Sequence, residues 1–161
     1  MKDFKVVRVL TSDLKRTKQT TENLLKAFSQ KVEVIEHSIL REREFGDLKG
    51  TAFSEVDPEL FHPKSKFQPR NGENWETFHT RVKQAWEWIL SHANNVLKGP
   101  EDVLVVVTHG LVKSSLASRV WGMKDRIIFD NTSVSMVTAA SPHRILELNN
   151  TSHLTDLQSK L

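Results

Sequence analysis

The stretch "VLVVVTHGLVKSSLASRVWG", Val103 to Gly122, joins an apolar run to a helix-like pattern through a histidine and a glycine. Five consecutive apolar residues rich in valine predict a strand covered on both faces, as in a parallel sheet flanked by helices. That reading puts His109 at the carboxyl end of the strand, where open α/β sheets bind ligands beside the amino termini of the following helices. A histidine that merely ends a strand is an equal reading of this stretch alone, so the remaining segments decide.

Working outward, "KVVRVLT" (Lys5 to Thr11) reads as a short strand. Ser12 or Asp13 is then expected to cap a helix whose one face carries Leu14, Thr17, Thr21, Leu24, Leu25 and Phe28, with Arg16 in its first turn. Residues 32–35 form a second strand candidate that leads through Ile39 and Leu40 into "REREFG", Arg41 to Gly46. From Gly50 to Gly72 the pattern is irregular and contains Pro58, Pro63 and Pro69, which predicts a long surface excursion suited to a substrate lid. Trp75, Phe78, Val82, Ala85, Trp86, Ile89, Ala93, Val96 and Leu97 recur at helical steps, with His79, Lys83, Glu87 and Asn94 on other faces, and Gly99-Pro100 ends that helix. The segments "SVSMVTA" and "RILELN" are expected to pair antiparallel. The whole pattern predicts one α/β domain over residues 1–161, a three-layer sandwich with a mostly parallel central sheet.

The chain has 161 residues, 38% of them hydrophobic and 27% charged, enough for one domain with a core. No run approaches the roughly 20 apolar residues of a membrane span, and no apolar signal core follows Met1. Cysteine is absent, which excludes disulfides, thiolate metal sites and cysteine nucleophiles. The expectation is a cytoplasmic protein with no membrane partner. A net charge of +3, without a basic run or an aromatic–basic platform, fits a small anionic ligand and gives no support for nucleic acid. His37, His62, His79, His92, His143 and His153 show no metal-ligand spacing, so neither a metal nor another cofactor is expected.

Arg16 follows the first strand, Glu42 the second and His109 the third, so a right-handed α/β layout gathers a cation, a carboxyl group and an imidazole around one crevice. This is a set suited to handling phosphate. It lacks an obvious nucleophile, and "GDLKGT" from Gly46 lacks the spacing of a nucleotide-binding P-loop.

The segments "TSDLKRTKQT" (11–20), "LREREFGDLKG" (40–50), "NGENWETFHTRV" (71–82), "VVVTHGLVKSSL" (105–116), "NTSVSMV" (131–137) and "LELNNTSHL" (146–154) resemble, in order, successive blocks of the histidine phosphatase superfamily, the phosphoglycerate-mutase-like family. The first two also resemble its fructose-2,6-bisphosphatase members. The resemblance implies a hydrolase of small phosphate monoesters and assigns roles by position. Arg16 matches the phosphate-binding arginine, Glu42 the proton donor and His109 the second histidine, which stabilises charge on the transferring phosphoryl group. Gly110 would offer its backbone N–H to the same oxygens, and Asn131 matches a position near the site able to bond a phosphate oxygen. For Arg41 and Arg43, attraction of a second phosphate stands beside ordinary ion pairing, and Glu44 reads as a solvated charge or an arginine partner.

One family block has no counterpart. The family's Arg-His-Gly, whose histidine is the nucleophile, ends its first strand, and no such triplet precedes Thr11. The resemblance therefore implies an amino-terminally truncated domain, missing its first strand and without catalytic turnover as it stands. A non-catalytic phosphate-binding or regulatory remnant is the alternative expectation.

Overall fold

The computed structural model describes residues 4–57, 60 and 65–154. Strand β1 (Lys5–Thr11) lies between β2 (Glu33–Glu36) and β3 (Asp102–Val107), and both neighbours run parallel to it. The registers Thr11↔Glu36 and Thr11↔Val107 bring the carboxyl ends of all three strands to one level.

Residue parity along β1 places the helices. Leu10 packs with Ile35, Leu104 and Val106 against Ala85 and Ile89 of α2 (Trp75–Val96), so α2 covers the Leu10 face. Thr11 points the other way, as strand geometry requires, and its Oγ1 accepts a hydrogen bond from Thr21 of α1 (Lys15–Leu25) at 3.0 Å. Helix α3 (Gly110–Arg119) packs on α2 through Val112 and Leu116 against Trp75, Phe78 and Val82. The layers are therefore α1, the parallel sheet, then α2 with α3, the three-layer α/β arrangement expected from the sequence. Since β1 sends the chain to one side and β3 returns on the other, the sheet has its switch point between the ends of β1 and β3.

Three expectations need correction. Neither Ser12 nor Asp13 is the N-cap of α1, which is Leu14 without a side-chain bond: the Asp13 carboxylate is taken by Arg41, and the Ser12 hydroxyl, 3.4 Å from Leu14 N, also meets His109. His79 turns inward from α2, its Nδ1 2.7 Å from Ser115 Oγ and its ring stacked on Trp75. Glu44 keeps the partly solvated charge expected of it, 39% of its side chain exposed, but its ion-pair partner is Lys49 at 2.7 Å and not an arginine. Asn74, by contrast, caps α2 directly, its Oδ1 accepting from Thr77 N at 2.8 Å.

The excursion leaves and rejoins the body through two close backbone passes. Gly46 has φ +54, and a Cβ there would lie 1.9 Å from Arg70 O, while a Cβ on Gly72 would lie 2.7 Å from Glu44 O. Short 3-10 turns at Gly46–Leu48 and Phe53–Glu55 occupy part of the loop, and Pro58 and Pro63 lie outside the described residues.

The last two strands, β4 (Val134–Val137) and β5 (Ile145–Asn150), pair antiparallel as a separate two-stranded sheet. Lys113 of α3 holds the start of this hairpin by donating to Ser133 Oγ at 2.7 Å, and Trp86 of α2 holds its loop by donating to His143 at 3.2 Å. Among the described residues no strand pairs with the far edge of β3, and all six β3 residues are only half-buried. An apolar strand with an open ladder edge is unusual in a parallel sheet, where covered strands are the rule.

Candidate active site

The strand ends converge as the topology requires. Strand β1 runs into Ser12 and then α1, which carries Arg16 in its first turn, and β3 runs into Thr108-His109 and the start of α3. The segment after Leu40 is fastened to β3's end by Thr108 Oγ1, which donates to Leu40 O at 2.9 Å. Glu42 thereby reaches the amino terminus of α3, where its Oε2 accepts from Leu111 N at 3.2 Å. Arg16 Nε lies 3.2 Å from His109 Nδ1. Arg16, Glu42, His109 and Gly110 thus occupy one edge of the sheet, around its switch point.

Hydrogen-bond chemistry fixes the state of His109. An arginine Nε can only donate, so His109 Nδ1 accepts. The proton of the neutral ring is then on Nε2, which donates to Ser12 Oγ at 3.0 Å. The ring is 6% exposed, and burial, followed by the charges of Arg16 and Arg81, pushes its pKa down to about 4. His109 is therefore a neutral hydrogen-bond donor at neutral pH. It has no acceptor nitrogen left with which to take a proton from Ser12, so this contact does not activate the serine.

Glu42 shows the opposite adjustment. Burial raises its pKa, against the lowering by hydrogen bonds from the N–H groups of Arg43 and Leu111 and by the charges of Arg16 and Arg81. Water withdrawn from the carboxyl group penalises the anion, and the acid keeps its proton to higher pH.

Gly110 opens α3 at the strand end. A Cβ there would meet only Phe129 O, at 3.8 Å, so the protein's own packing does not demand glycine. The N–H groups of a helix's first turn lack intrahelical acceptors; Glu42 takes that of Leu111. Asn131 is exposed in the turn before β4, and this segment comes close to Gly110 through Phe129 O.

The two arginines beside Glu42 differ. Arg41 forms a two-pronged pair with Asp13, both contacts 2.6 Å, which ties the Glu42 segment to the start of α1. Arg43 is 2% exposed, lies 4.2 Å over the Trp75 ring, and donates to Glu73 O and Leu60 O. A buried guanidinium on an indole face is not presented to a ligand. Ser12, Glu73 and Arg81 were missed as site residues. Ser12 reads in sequence as a helix cap, but Arg81 carried a signal, a charged residue beside the apolar stripe Phe78, Val82 and Ala85. Among the described residues no group of histidines and carboxylates could hold a metal ion.

Comparison with known proteins shows the family to which the chain belongs. The model of the histidine phosphatase superfamily (branch 1) matches residues 1–151. Phosphoglycerate mutase-like protein 4 of Arabidopsis thaliana is 33% identical over 126 residues, which cover 73% of this chain and 52% of that protein. The chain thus spans about half the length of the curated relative it matches. A solved protein of Thermus thermophilus is 26% identical with a TM-score of 0.63, over 87% of this chain and 71% of that one. Phosphoglycerate mutase from Bacillus anthracis str. Sterne superposes with a TM-score of 0.78 over 98% of this chain and 78% of its own, at 22% identity, a likeness of fold alone.

Proposed function

This chain belongs to the histidine phosphatase superfamily (branch 1), and on that premise we propose that its crevice is the phosphoryl site of a hydrolase of small phosphate monoesters, sugar phosphates among them. The observation that carries the proposal is the arrangement of Arg16, the neutral Nε2–H of His109 and the buried Glu42 around the first turn of α3. In this reading Arg16 and His109 donate to the phosphoryl oxygens together with the Gly110 N–H, Ser12 yielding its place on Nε2 to the ligand. Asn131 bonds a phosphate oxygen from the hairpin side. Glu42, whose pKa burial raises, gives its proton to the departing alkoxide.

The complete reaction transfers the phosphoryl group to a histidine nucleophile and then hydrolyses the phosphohistidine. The 161 residues contain no Arg-His-Gly, so in this reading the chain binds phosphate and does not turn over. His109 does not substitute for the nucleophile, since its Nδ1 is engaged by Arg16 and its Nε2 carries the proton. The open edge of β3, with His109 just past its end, is where an added parallel strand would deliver one. We also infer a cytoplasmic role on small molecules, without nucleic-acid or membrane partners.

The test is incubation of the chain with p-nitrophenyl phosphate, followed by mass spectrometry of the acid-labile phosphoprotein. The expected result is no phosphorylated residue and negligible turnover, with vanadate still bound weakly and its binding lost in Arg16→Ala. Phosphate trapped on His109, or vanadate binding indifferent to Arg16→Ala, would overturn the assignment.

A further inference from the structure

Nothing in the regular structure of the sheet explains how Glu42 is held. Residues 41–45 form neither helix nor strand, so their backbone groups find partners elsewhere. Two of them, the carbonyls of Arg41 and Glu42, find theirs on one side chain of α2. Arg81 Nη1 donates to Ile39 O and to Arg41 O, both at 2.9 Å, and Nη2 donates to Glu42 O at 3.3 Å. The same guanidinium meets the Glu73 carboxylate in parallel, Nε to Oε1 at 2.8 Å and Nη2 to Oε2 at 2.7 Å. All five N–H groups of the fork are thereby used.

Glu73 completes the clamp. Its Oε2 accepts from Glu44 N at 2.9 Å, its N–H donates to Glu44 O at 2.8 Å, and its carbonyl accepts from Arg43 Nε at 3.0 Å. The backbone on both sides of Glu42 is therefore tied to one ion pair whose side chains are 21% and 16% exposed.

We propose that Arg81, clamped by Glu73, is the positioning residue for the Glu42 carboxyl group, fixing the 39–44 backbone so that this group sits buried against Leu111 N at the mouth of the crevice. The inference rests on Glu42 as the proton donor of the proposed reaction. Lysine would not do the same work, because a compact ammonium offers three donors and no planar fork. Burial alone would raise the Glu73 pKa, yet hydrogen bonds from Arg81 and Glu44 N and the charge of Arg81 hold it below its ordinary value.

The test follows the titration of Glu42 by carbon-13 NMR in the full chain labelled at the glutamate carboxyl carbon, with the signal assigned by Glu42→Gln. Leu111 N–H is followed in the same samples. Arg81→Lys keeps the positive charge that Glu42 feels beside that of Arg16 and removes the fork. The Glu42 midpoint should then fall by about half a pH unit or more as the carboxyl group gains water, and the Leu111 amide should lose its response to Glu42 ionisation. Glu73→Gln should move both in the same direction by less. A merely structural role would lower the melting temperature and leave the Glu42 midpoint and the Leu111 amide unmoved, and that result overturns the proposal. If Arg81→Lys does not fold, Glu73→Gln decides by the same criterion. The readout needs no turnover, so a Glu42 that is not the proton donor would still show this dependence and would fail instead in kinetics.

Discussion

At the scale of single residues, His109 and Glu42 are tuned in ways that suit the proposed handling of phosphate. Burial drives the His109 pKa down to about 4 and raises that of Glu42, leaving both neutral over a wider range than in water. A neutral imidazole with its proton on Nε2 donates to an oxygen and leaves the positive charge to Arg16. A protonated carboxyl group serves departing oxygens that cannot leave as anions. In a chain extended at its amino terminus by a strand ending in Arg-His-Gly, Glu42→Gln should slow phosphoryl transfer from a sugar phosphate on the order of a hundredfold or more. Transfer from p-nitrophenyl phosphate, whose phenolate leaves unassisted, should change little. Single-turnover rates across leaving groups check this; equal losses for both esters would remove Glu42 from the acid role.

At the scale of elements, the sequence was most legible where pattern length and burial coincide. The valine run placed β3, the three- and four-residue spacing placed α2, and the strand ends alone brought Arg16, Glu42 and His109 to one edge. Legibility failed where a short polar side chain had two possible partners. Ser12 and Asp13 look like caps because local bonding is cheap in entropy, but Arg41, distant in sequence, takes the Asp13 carboxylate, and His109 shares the Ser12 hydroxyl with Leu14 N. The inward turn of His79 was hidden because Ser115, its partner, lies on another helix. The closure of the excursion through Gly46 and Gly72 was likewise invisible, since only the folded backbone shows why neither position admits a Cβ. The Arg81 clamp joins residues 40 positions apart, beyond any local periodicity.

At the scale of the whole molecule, the site imposes a pH dependence on stability. His79 and His109 each have a pKa pushed to about 4 from an ordinary 6.5, mainly by burial, so the folded protein resists protonation that the unfolded chain accepts. Stability is fully present above pH 6.5 and is lost as pH falls toward 4, where the histidine contribution levels off. For the almost fully buried His109 the loss amounts to about 3 kcal/mol. Glu42, raised by burial, works in the opposite sense and gains stability from protonation as pH falls through its folded value. Urea unfolding between pH 7 and pH 4 should show uptake of roughly two protons near pH 5, and His79→Gln should remove about half of it. A flat profile would mean that neither ring is held neutral by the fold.

The proposed function places every role of Arg16, Glu42 and His109 at the switch point of the sheet, and its most direct test is an NMR titration of the chain with inorganic phosphate at constant ionic strength. The predicted result is that the Gly110 and Leu111 amides, the His109 ring nitrogens and Arg16 Nε shift along one saturating curve, which Arg16→Ala abolishes. Shifts spread over surface lysines, with these groups unmoved, would contradict it.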